Sequence, residues 1–144
     1  MSYYFTHTET LEEALRRIGR EQTEKALSDL QNNEMSLEDR VHQARKHGKK
    51  IRALLRIVRP GMEDVYKEEN ANIRDACKLL APLRDAHAMQ SNLCRLVDSE
   101  AEVFHCDALQ NFAEALSDFT ERQEREAADE DLIKQAVRMF EKTL

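Results

Sequence analysis

The chain has 144 residues, 35% of them charged, with three glycines, two prolines, three cysteines and a formal net charge of -6. Its length suits one unit, residues 1–144, which can bury roughly 70% of the surface exposed by the unfolded chain. The scarcity of Gly and Pro beside abundant Ala, Leu, Glu, Arg, Gln and Lys excludes a β-rich chain and predicts an all-α protein. Cys77, Cys94 and Cys106 lack CxxC spacing, which argues against a disulfide framework or a common zinc site. With no basic-apolar leader and no apolar run of about 18 residues, a soluble cytoplasmic protein is expected.

Thr10 and Glu13 have capping-box spacing, and Leu11, Ala14, Leu15, Ile18, Ala26 and Leu30 then recur at helical intervals up to Gln31-Asn32-Asn33. Ser36 with Asp39 predicts a second cap and a helix from about Leu37, ended by Arg59-Pro60-Gly61. A third helical stretch runs from Glu63 to Asp98, where Pro82 must kink it or stand in the first turn of a new helix. Ser99 with Glu102 suggests the cap of a fourth helix through Phe104, Leu109, Phe112, Leu116 and Phe119, and a last short helix spans Asp131 to Lys142. Short connections between amphipathic helices predict an antiparallel bundle of four to five helices.

The most informative segment is Arg40 to Met62, which carries eight Lys or Arg and no acid, leaving 14 basic against 28 acidic residues elsewhere. On a wheel of about 100° per residue, His42, Arg45, Lys49, Arg52 and Arg56 share one arc, with Lys46 and Lys50 along one edge and Arg59 along the other. Ala44, Gly48, Ile51, Leu54, Leu55 and Val58 take the opposite side. The cationic ridge is about 21 Å long from His42 to Arg56 at about 1.5 Å per residue. Such a row suits a linear polyanion, because Arg offers forked donors to phosphate oxygens and Lys a mobile point charge. His42 lies in line with these cations and offers a donor to phosphate, whereas His47 points towards the apolar boundary. Gly48 in mid-helix suggests either the close approach of another helix or simple tolerance of its cost.

The segments VHQARKHGKKIRALLRIVRP and YKEENANIRDACKLLAPLRDAH resemble the N-terminal half of a CHAD domain, over roughly residues 10 to 120. His42, Arg45, Lys46, Lys49, Lys50 and Arg52 meet the first family pattern; Arg74, Lys78 and the run Leu80-Ala81-Pro82-Leu83-Arg84-Asp85 meet the second. The resemblance implies a helical bundle that binds inorganic polyphosphate through His42, Arg45, Lys46, Lys49, Lys50, Arg52, Arg56, Arg74, Lys78 and Arg84. It places Arg74, Lys78 and Arg84 across a groove from the ridge, on one face if the third helical stretch is continuous, with Asp85 orienting a neighbouring cation. It also implies a triphosphate-hydrolysing CYTH-type enzyme as partner and a location at polyphosphate granules. Family domains commonly hold two such bundles, so the resemblance implies either a homodimer that completes the surface or a short form with weaker binding. His87 and Met89 depart from the family pattern, which more often has an acid and a branched aliphatic there.

Nucleic acid is the nearest rival ligand, but residues 37 to 62 hold no aromatic side chain for base stacking. An acidic protein is another, including the chain's own stretch Glu121 to Asp131 laid over the ridge. Accessory service to a triphosphate-hydrolysing enzyme is a third role. Glu102-x-x-His105 has di-iron spacing, yet only one such pair occurs, and Cys106 beside it reads as packing, so neither metal nor cofactor is expected. The ridge lacks the carboxylates that would hold divalent ions for hydrolysis, which favours a binding module over an enzyme.

Overall fold

The computed structural model describes Tyr4 and residues 6–99, 107–129 and 131–143. These form α1 (Leu11–Gln31), α2 (Leu37–Val58), a 3-10 turn (Arg59–Gly61), α3 (Glu63–Leu79), α4 (Ala81–Ser99), α5 (Asp107–Asp129) and α6 (Leu132–Glu141), with no strand among the described residues. The described residues thus form six α-helices rather than four or five, because the expected third stretch divides at Leu80. Pro82 stands in the first turn of α4, where its missing N–H would have had no intrahelical partner.

Both early caps form. The Glu13 amide donates to Thr10 Oγ1 at 3.2 Å and the Thr10 amide donates to Glu13 Oε2 at 2.8 Å; the Asp39 amide donates to Ser36 Oγ at 3.1 Å. Ser99 belongs to α4, its hydroxyl donating to the Leu96 carbonyl at 3.0 Å, and the cap expected between it and Glu102 falls outside the described residues. Glu102, Phe104, His105 and Cys106 lie outside the described residues.

α1 and α2 pack antiparallel, and α3 returns along α2. Their apolar stripes meet in a core of Ala26, Leu30, Val41, Ala44, Ile51, Ile73, Ala76 and Leu80, joined by Leu83 of α4, Ala127 of α5, and Ala136 and Phe140 of α6. Gly48 explains itself here: a Cβ would stand 2.4 Å from Cys77 Sγ, so α3 approaches α2 where the side chain is missing. The hydrophobic periodicity overstates the core in places. Leu11 is 62% exposed at the first position of α1, and Phe112 and Phe119 are 53% and 44% exposed on the edge of the stripe of α5.

His47 is buried between α1 and α2, with Nδ1 2.8 Å from Gln22 Oε1 and Nε2 3.3 Å from Asp29 Oδ2. Burial holds its pKa below the ordinary 6.5; Asp29 opposes the shift, while Lys50, Lys25 and Lys46 reinforce it. The unfolded chain therefore binds this proton more readily than the folded one. Stability from the neutral ring is complete above about 6.5 and is lost as pH falls through the lowered folded value. Denaturant unfolding at about pH 7.5 and about pH 5.5 is expected to show the lower stability at the lower pH, with a smaller difference in His47→Gln.

Candidate anion-binding site

The site is built on α2, whose apolar side is held by α1 and α3 and whose opposite side carries the charges. His42, Lys46, Lys49 and Arg56 are exposed, while Arg45, Lys50 and Arg52 are half-buried. Lys46, Lys49 and Arg56 form no hydrogen bond or ion pair among the described residues. Arg45 and Arg52 behave differently. The Arg45 guanidinium donates to the Cys77 carbonyl, and Arg52 Nε donates to Asn70 Oδ1 at 2.9 Å, so both lean from the ridge onto α3.

On α3, Arg74 and Lys78 follow Cys77 around the helix by about 60° and about 100°, and both are exposed. Arg74 is bound to its neighbour, Nε donating to Asp75 Oδ1 at 2.8 Å and Nη2 to Oδ2 at 3.0 Å. That hydrogen bond, with the nearby charges of Arg74 and Lys78, holds the Asp75 carboxyl below its usual range. Lys78 has no ion pair among the described residues and adds a free cation beside the ridge.

Arg84 cannot share a helix face with Arg74 and Lys78, since the break at Leu80 puts it on α4. It meets the ridge instead from α4: Nε donates to His42 Nδ1 at 3.0 Å, and Nη1 lies 3.9 Å from Glu38 Oε1. Accepting from Arg84 leaves the His42 ring its Nε2–H as the remaining donor, on an exposed residue. Asp85 does not orient a cation; it is exposed and has no ion pair among the described residues. The carboxylate at this junction is Glu38, which accepts from the Ser91 hydroxyl at 3.2 Å. Glu38 lies one turn before His42 on the same arc, just outside the acid-free segment, so the wheel reveals it once extended by four residues.

At the far end Arg59 turns from the ridge, its guanidinium 5.2 Å from the centre of the Tyr66 ring and 3.8 Å from Glu63 Oε1. The acidic stretch at the end of α5 does not lie over α2. That helix packs against α4 and α6, and Glu124 is spent on His87, whose buried ring brings Nε2 within 2.8 Å of Glu124 Oε1. His87 therefore joins α4 to α5.

Set together, the geometry is a strip of cations on α2, widened by Lys78 and Arg74 on α3 and tied at one end to Arg84. The CHAD domain family matches residues 8–144, nearly the whole chain. The chain belongs to the CHAD domain family. No curated protein and no solved structure matches it. In this CHAD domain the described residues bring no three His, Cys, Asp or Glu side chains together as metal ligands, and none of the described helices is long and apolar enough to cross a membrane.

Proposed function

We propose that this CHAD domain is a non-catalytic, cytoplasmic binding module for inorganic polyphosphate. The observation that carries this reading is the group of exposed cations Lys46, Lys49, Arg56 and Lys78, which have no ion pair among the described residues. Side chains of one sign held together without counter-charges favour an anion of repeated charge. Arg45, Lys50, Arg52, His42, Arg74 and Arg84 supply further donors around them. Family membership supports phosphate over other anions.

Titration with long-chain polyphosphate at several salt concentrations tests the reading. Affinity is expected to fall steeply with salt, since each phosphate contact releases condensed counterions. Single-stranded RNA of equal charge is expected to bind more weakly, because the strip lacks stacking surfaces; equal or tighter RNA binding would transfer the role to nucleic acid. Incubation with magnesium is expected to release no phosphate.

Self-association into a homodimer is part of the same proposal. Light scattering with and without polyphosphate is expected to show two chains in at least one state, and a monomer in both rules it out. Service to a triphosphate-hydrolysing CYTH-type enzyme, and a place at polyphosphate granules, extend the proposal to its setting in the cell.

A further inference from the structure

The cationic strip has a carboxylate at each end. At the N-terminal end stands Glu38, on the same arc as His42, Lys49 and Arg56 and held in place by the Ser91 hydroxyl at 3.2 Å. Its approach to Arg84 Nη1, at 3.9 Å, is too long for a hydrogen bond, so its charge is only partly countered. At the C-terminal end Glu63 lies 3.8 Å from both Arg59 and Lys67, and Arg59 is further drawn over Tyr66. Between these two acids lies a cationic run of about 21 Å.

We infer that Glu38 is a specificity-determining residue that limits the length of anion the strip accepts. This rests on the polyphosphate reading. A chain lying along α2 gains a cation at each turn from Arg56 to Arg45, reaches the His42 Nε2–H and then meets a fixed negative charge. A chain short enough to settle among Lys46, Lys49 and Arg56 never reaches it. Glu38 therefore penalises chains that overrun the strip and leaves short ones unaffected, so affinity should level off with chain length.

The test compares the unmodified protein, Glu38→Gln and Glu24→Gln in binding tripolyphosphate and long-chain polyphosphate. Glu24 is an exposed residue of α1, so its variant makes the same change of net charge away from the strip. Circular dichroism checks that both variants keep their helical signal. Glu38→Gln is expected to bind the long chain about threefold more tightly, the size of effect typical of one exposed charge. Tripolyphosphate should bind all three proteins alike, and Glu24→Gln should match the unmodified protein throughout. Equal long-chain affinity in the two variants overturns the inference, as does an equal gain for tripolyphosphate in Glu38→Gln. Failure of the unmodified protein to bind long-chain polyphosphate is a different result and removes the polyphosphate reading itself.

Discussion

Replacing Lys46, Lys49, Arg56 and Lys78 together by alanine is expected to weaken long-chain polyphosphate binding by about two orders of magnitude at about 0.15 M salt. The size follows from counterion release: if each contact behaves like a cation on a single-stranded polyanion, it contributes a slope of about 0.7 in log affinity against log salt. Removing four contacts should then flatten the slope by about 2.8. None of the four side chains is buried, and alanine is the strongest helix former, so the fold should survive. A control losing Arg16 and Arg20 on α1, both exposed, should bind nearly as the unmodified protein does. If the control, which removes two charges against four, loses about half as much in log affinity as the quadruple variant, binding responds to net charge alone and the strip is not the site.

The largest stability effect is expected from Phe140→Ala. Phe140 on α6 is fully buried, and its ring reaches the packing of α2 against α3, with Cζ 3.5 Å from where a Gly48 Cβ would stand. Truncating such a ring removes its transfer free energy and leaves a cavity the helices fill only in part, which costs about 3–5 kcal/mol. For a domain of this size the melting temperature should fall by roughly 10–15 °C. Asn72 Nδ2 also ties α3 to α6, donating to the Met139 carbonyl at 2.7 Å and Thr143 Oγ1 at 2.9 Å, so α6 keeps a polar hold when the ring is gone. Well below the melting temperature, polyphosphate affinity should be nearly unchanged, because Phe140 is buried in the core and the strip is exposed. A melting temperature within about 2 °C of the unmodified value would show that α6 contributes little to the core.

Local signals in the sequence were sufficient where one residue's chemistry decides the outcome. Thr10 and Ser36 start helices because their hydroxyls satisfy amides left free at a helix start. Gly48 marks a close helix approach because a Cβ there would stand 2.4 Å from Cys77 Sγ, and one of the two would have to move. The polar and apolar sides of α2 follow from its periodicity, which is why the ridge was legible before any packing was known. What the wheel does not contain is how charges pair between helices. Arg74, Lys78 and Arg84 read as one face on a continuous helix, and the break at Leu80 separates them. Arg84 finds His42 only because α4 crosses back beside α2. Phe112 and Phe119 likewise follow the period of α5, yet no helix among the described residues covers them.

Arg45 and Arg52 are held to α3 by the Cys77 carbonyl and Asn70, while Lys46 and Lys49 between them are exposed and have no hydrogen bond or ion pair among the described residues. The first pair has already surrendered its rotamer freedom in folding, so a phosphate that meets it incurs little further loss of side-chain entropy. The lysines surrender theirs only on contact, but in exchange follow phosphates wherever they fall. A flexible chain without fixed register thus meets rigid anchors interleaved with compliant ones, an arrangement that lets it slide along α2 without letting go.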